Sequence, residues 1–99
     1  MSTNEMIDLM REMAVFATVV ETSSFSETAR QLGATPSAIS RSVARLEKAL
    51  GTRLLQRTTR KLRLSDSGRE VYSHCVDIVN AAQAVMALSG QLNPEPQGL

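Results

Sequence analysis

Apolar side chains return along this chain with the period of a helix in three places and alternate in a fourth. Met6, Leu9, Met10, Met13, Phe16, Ala17 and Val20 recur mainly at steps of three and four. That spacing predicts a first helix from about residue 5 to Glu21 with an apolar stripe turned inward. Thr22-Ser23 break the pattern. Ile39, Val43, Leu46 and Leu50 follow at steps of four, three and four, which makes a single narrow stripe. Val71, Cys75, Ile78, Ala82 and Val85 form a last seam, with Val79 and Met86 alongside. Before that seam, Leu62 and Leu64 alternate with Lys61 and Arg63, the period of a half-buried strand.

Polar punctuation sets the boundaries. Ser2-Thr3-Asn4-Glu5 offers a capping box for the first helix, and Ser24-Phe25-Ser26-Glu27 offers another for a short helix through Ala29 to Leu32. Gly33 stops that helix, and Gly33-Ala34 leaves two residues before Thr35. Thr35 is an N-cap, Pro36 falls at the first helical position, and Gly51 closes the helix. Two helices so tightly joined cross steeply, as in a helix-turn-helix, with small Ala29 at the close approach and Gly33 at the turn. Arg53 to Arg57 and Lys61 to Leu64 then read as two strands around Thr58-Thr59-Arg60, a wing with a basic tip. Ser65 caps a last helix with Asp66 in its first turn. Gly68 is a mild weakness inside it. Gly90 ends it, and Asn93 to Gly98 read as a linker. The expected fold is mainly α: a winged helix-turn-helix over 1–64 (three-helix core plus two-stranded wing), a linker and dimerisation helix over 65–90, and a hinge or disordered tail over 91–99.

Composition narrows this picture little, but charge changes it. A chain of 99 residues, 42% hydrophobic, supports one core. Three aromatics leave that core to aliphatic and methionine side chains. A single cysteine excludes an intramolecular disulfide and fits a reducing compartment. No apolar run approaches the roughly 18 residues of a membrane span, and no secretory pattern opens the chain. A cytoplasmic protein is expected. The net charge of +1 conceals a segregation. Residues 31–64 carry eight basic side chains against Glu47 alone, whereas residues 1–30 and 65–99 each balance at −3. A basic block coinciding with the capped helix and the wing marks a polyanion footprint.

The face of the 36–50 helix opposite its stripe carries Ser37, Arg41, Ala44, Arg45 and Lys48. Short hydroxyls and an arginine near a helix start suit close approach to base edges and phosphates in a DNA major groove. The wing tip suits the adjacent minor groove, where negative potential concentrates. The seam Val71, Cys75, Ile78, Ala82 and Val85 is too long for so small a core to cover and points to a partner helix in a homodimer. His74 and Cys75 are adjacent on a helix and so diverge by about 100°. With one histidine, one cysteine and no glycine-rich phosphate loop, neither enzyme chemistry, metal nor cofactor is expected. The competing reading is a winged-helix protein-interaction or dimerisation module without DNA affinity, and the basic block argues against it.

With these residues laid out, the chain resembles the N-terminal DNA-binding region of the LysR-type transcriptional regulators of bacteria. The carrying residues are Phe16, Val19-Val20-Glu21, Ser24-Phe25-Ser26, Ala29 and Leu32-Gly33, then Pro36 to Arg41, Leu46-Glu47, Leu50-Gly51 and Arg53-Leu54. Arg57 to Arg60 and Leu64-Ser65-Asp66-Ser67-Gly68 follow, and the match runs over about residues 6–88. Leu55 stands where phenylalanine is usual and Ser67 where alanine is. The resemblance implies a dimer, joined through the last helix, that binds an interrupted palindrome of double-stranded DNA. Thr35, Pro36, Ser37, Ser40 and Arg41 would face bases and phosphates, Ser24 and Ser26 would approach phosphate, and Arg57, Thr58, Thr59 and Arg60 would form the wing contact; Arg45, on the same helix face, is taken as a further DNA contact. It also implies that a small-molecule effector acts only through a domain not present in this chain, so the expectation is a DNA-binding fragment of a longer regulator.

Overall fold

Every helix begins where a hydroxyl can take up an orphan amide. The computed structural model describes residues 1–57 and 61–92, with Arg57 in backbone only. Helix α1 (Thr3–Thr22) starts earlier than its apolar stripe does, because the Ser2 box is complete. Ser2 Oγ accepts the Glu5 amide at 3.1 Å, and the Ser2 amide donates to Glu5 Oε1 at 2.7 Å. The helix ends on Ser23, a non-glycine residue in the left-handed region at φ 56°. Thr22 steadies that corner: its Oγ1 accepts the Ser24 amide at 3.1 Å and lies 2.8 Å from Thr28 Oγ1, in a fully buried side chain.

Helix α2 (Phe25–Leu32) has only half the expected box. Ser24 Oγ accepts the Glu27 amide at 3.0 Å, but the Ser24 amide is already taken by Thr22. The Glu27 carboxylate turns instead to Arg30 and Gln31. Gly33 at φ 66° ends α2, and helix α3 (Pro36–Leu50) follows with Thr35 Oγ1 accepting the Ala38 amide at 3.1 Å. Gly51, at φ 70°, closes α3. Strands β1 (Leu55–Arg57) and β2 (Leu62–Leu64) pair antiparallel, with Leu55 opposite Leu64 and Gln56 opposite Arg63. Helix α4 (Asp66–Ala87) starts under Ser65, whose Oγ accepts the Gly68 amide at 2.8 Å. It is shorter than the pattern predicts, because the turn at 88–91 closes it before Gly90. The wing tip 58–60 and the tail 93–99 lie outside the described residues.

The core draws on all four helices and the first strand: Phe16 and Val19 from α1, Ala29 from α2, Val43 and Leu46 from α3, Leu54 and Leu55 at the wing, Cys75 from α4. Each fully buried Val, Leu or Phe among them contributes roughly 1.5–3 kcal/mol. The predicted α1 stripe is inward from Leu9 onward, apart from Met10. Val15 and Val19, outside that stripe, are buried, whereas Met6 and Met10 stay exposed. Leu50, the last member of the α3 stripe, is exposed as well.

Gly68 is no weakness. A Cβ there would lie 2.2 Å from the Leu54 carbonyl oxygen, so only glycine lets α4 pass this close to the strand entry. The Ser65 amide donates to that same carbonyl at 3.0 Å. Past this anchor α4 lays its first half against α1, burying Cys75 and packing Val71 and Val79 on the core. From Asn80 to Leu92 every residue is exposed.

Candidate nucleic-acid interface

Helix α3 divides its surface cleanly. Ile39, Ser42, Val43 and Leu46 are buried, and Ser37, Arg41, Ala44 and Lys48 make the opposite, exposed face. The steps between the exposed positions are three and four, so they lie along one side of the helix. Ser40 is half-buried at its edge, and Thr35 and Pro36 are exposed at its start. Thr35 Oγ1 accepts the Ala38 amide, which leaves its own proton to be donated elsewhere. Ser24 Oγ is used in the same way at α2, and Ser26 is exposed beside it. Two helix starts thus present hydroxyl donors where the macrodipole already favours an anion.

Arg45 is exposed on α3 as expected, but it is not unpaired. It does not stand free on the α3 face, because its Nε donates to Glu12 Oε2 of α1 at 3.0 Å. Glu12 is itself buried at 8% exposure, and its other oxygen accepts from Ser42 Oγ. A second carboxylate, that of Glu47, is likewise engaged inside the fold. The Glu47 side chain accepts the amides of Leu54 and Leu55 at 2.8 and 3.1 Å, tying the end of α3 to the wing. The sequence signal for Glu47 was its lone acidity inside the basic block; Glu12 carried none.

In the wing, Leu55 is buried and Leu62 and Leu64 are half-buried, while Gln56, Lys61 and Arg63 are exposed. Arg53 is exposed at the approach. The expected contacts of Thr58, Thr59 and Arg60, and of the Arg57 side chain, lie outside the described residues.

The seam assigned to a partner also needs correction. Cys75, at 2% exposure, belongs to the core of its own chain, and Val71 packs against that core. Burial pushes the Cys75 thiol above its ordinary pKa, which makes it a poor nucleophile. Ile78 is half-buried, and Ala82 and Val85 are exposed. The uncovered seam therefore begins at Ile78. Among the described residues no helix is long and apolar enough to cross a membrane.

A helix-turn-helix with a two-stranded wing and a long following helix defines a class of folds. The sequence profile of the bacterial regulatory helix-turn-helix proteins of the lysR family matches residues 10–69, and the chain belongs to that family. It is 49% identical over 92 residues to the "Probable HTH-type transcriptional regulator LtrA" of Klebsiella pneumoniae, covering 93% of this chain and 30% of that protein. It is 41% identical over 88 residues to the HTH-type transcriptional regulator CrgA of Neisseria meningitidis, covering 89% and 29%. The chain thus spans about 30% of the length of these curated relatives. Among solved structures, the BenM DNA-binding domain in complex with catB site 1 DNA superposes with a TM-score of 0.76 at 25% identity, covering 84% of this chain and 92% of that one.

Proposed function

We propose that this chain is the DNA-binding part of a bacterial transcriptional regulator, acting as a homodimer on double-stranded DNA. Helix α3 enters the major groove, Arg41 and Ser37 meet base edges, and Ser24, Ser26, Thr35 and Ser40 meet phosphates. Pro36 shapes the helix start at that contact. The wing, with Arg57, Thr58, Thr59 and Arg60 at its tip, follows the neighbouring minor groove. Two copies joined through the exposed seam of α4 bring two recognition helices to two half-sites. The role is non-catalytic and cytoplasmic, and effector sensing falls to a domain outside this chain.

The observation that carries this reading is the exposed hydroxyl-and-arginine face of α3 within a segment balanced at +7. Family membership and the likeness to a protein–DNA complex support it. A gel shift with random duplex at low salt, followed by selection from a random-sequence pool, tests it. The expected result is a salt-sensitive shift and recovery of a sequence with two related half-sites. No shift at low salt would leave the interaction-module reading standing.

A further inference from the structure

Glu12 is the one acidic side chain of α1 in the buried set, and it serves two residues of α3 at once. Ser42 Oγ donates to Oε1 and Arg45 Nε donates to Oε2, across thirty and thirty-three residues of chain. Around it the α1–α3 core is apolar: Val15, Phe16 and Val19 belong to the same cluster as Ile39, Val43 and Leu46. Such contacts resist separation but specify rotation weakly, because they have no direction. Two hydrogen bonds to one buried carboxylate do specify it. Ser42 follows Arg41 directly, and Arg45 lies one turn beyond it. A turn of α3 about its axis would therefore carry Arg41 away from the groove and strain both bonds together.

The same pair ties down one edge of a cation on the α3 face: Arg45 Nε is bound to Glu12 although the side chain stays 59% exposed. If Arg45 left to meet a phosphate, a buried carboxylate would keep only a hydroxyl partner, a costly exchange. We propose that Glu12 is a positioning residue for DNA reading: it fixes the rotation of α3 beneath Arg41 and withholds Arg45 from the phosphate backbone. This rests on the DNA-binding reading above and goes beyond it, since it makes specificity depend on a residue of α1 that touches no DNA.

The test compares wild type, Glu12→Gln and the double variant Glu12→Gln/Arg45→Ala. Each is titrated against random duplex and against a duplex selected by the wild-type chain, over a range of salt. Glutamine keeps the shape and an acceptor for Ser42 but frees Arg45. Glu12→Gln is expected to bind random duplex more tightly, with a log–log salt slope steeper by about 0.9, the value of one added phosphate contact. Its preference for the selected duplex is expected to fall about tenfold, the weight of one misplaced base contact. The double variant returns the slope to the wild-type value and keeps the lost preference. A mere packing role for Glu12 would move the melting temperature and leave the slope alone.

Unchanged slope and preference in a folded Glu12→Gln overturn the inference, as does a double variant whose slope falls about 0.9 below wild type. Should the variants fail to fold, the Arg45 Nε–H resonance of wild type carries the test. It is expected to keep its position and slow exchange when the selected duplex is added, and a shift to a DNA-bound position overturns the proposal. A wild type that binds no duplex at low salt overturns the DNA-binding reading itself, an outcome distinct from all of these.

Discussion

Helices α3 and α4 carry apolar stripes of similar spacing, yet they spend them differently. In α3, Ile39, Val43 and Leu46 are all buried within the chain, and only the terminal Leu50 escapes. In α4, Cys75 is buried, but Val85 and Met86 are 68% and 73% exposed. A stripe satisfied inside its own chain leaves the helix free to offer its polar face to another molecule. A stripe left uncovered makes the apolar face itself the offer. The two helices are thus distinguished by where their apolar side chains end up, not by how those side chains are spaced.

The sharpest way to break this comparison is to charge the bare end of α4. Val85→Asp alters nothing inside the chain, since the side chain is exposed. A carboxylate in a symmetric apolar seam goes unpaired, so sedimentation at micromolar concentration is expected to show a monomer. Losing the linked second half-site lowers affinity by a factor of about 10²–10⁴. Circular dichroism stays as in wild type. A Val85→Asp chain that still sediments as a dimer with full affinity places the interface elsewhere.

The anchored end of α4 predicts the opposite kind of defect. Gly68→Ala drives a Cβ against the backbone of Leu54 and within 3.1 Å of Leu64 Cδ2. Backbone cannot yield as a side chain does, so the cost falls near the upper end of roughly 1–3 kcal/mol for overpacking. The urea midpoint reads it directly. An unshifted midpoint would show that α4 does not approach the strand entry so closely in solution.

On the α3 side, Arg41→Ala is expected to leave stability unchanged, because Arg41 is exposed. Discrimination between a selected and a random duplex should drop by about 1–3 kcal/mol, the worth of one bidentate contact to guanine. Equal discrimination by the variant would remove Arg41 from the reading set.

Most of this was legible in the sequence because caps and turns are local. Ser24, Thr35 and Ser65 each bond an amide three residues on, and Gly33 and Gly51 stop their helices as their spacing requires. What stayed hidden depends on residues distant in the chain. Glu12 reads as a solvated charge until α3 arrives thirty residues later with Ser42. Gly68 reads as a flaw until the Leu54 carbonyl is set against it. Cys75 fits a partner seam and an internal one equally well, because spacing marks a face of a helix without saying what covers it. The wing strands were readable from alternation, but their tie to Glu47 was not, since amide donors leave no trace in residue identity.

The smallest expected effect separates an exposed ion pair from the one anchored on the buried Glu12 carboxylate. Glu27 accepts from Arg30 Nε at 3.0 Å and from Gln31 Nε2 at 3.0 Å. Hydrogen bonding to Arg30, then to Gln31, lowers its carboxyl from 4.5 to about 2. A carboxyl lowered on folding stabilises the fold above its ordinary pKa and loses that contribution as pH falls toward the lowered value. The window here runs from about 4.5 down to about 2. The pair is open to water, so its contribution is small and is screened by salt. Proton titration followed by carboxyl-carbon resonances should therefore place Glu27 near 2 in wild type and back toward 4.5 in Arg30→Ala. The melting temperature of Glu27→Gln should differ little from wild type at neutral pH, and the difference should vanish at the acid end of that window. A wild-type Glu27 that titrates near 4.5 would mean that the pair does not persist in solution. The Glu12–Arg45 pair would then be the better-founded of the two contacts, because its carboxylate is buried whereas that of Glu27 is not.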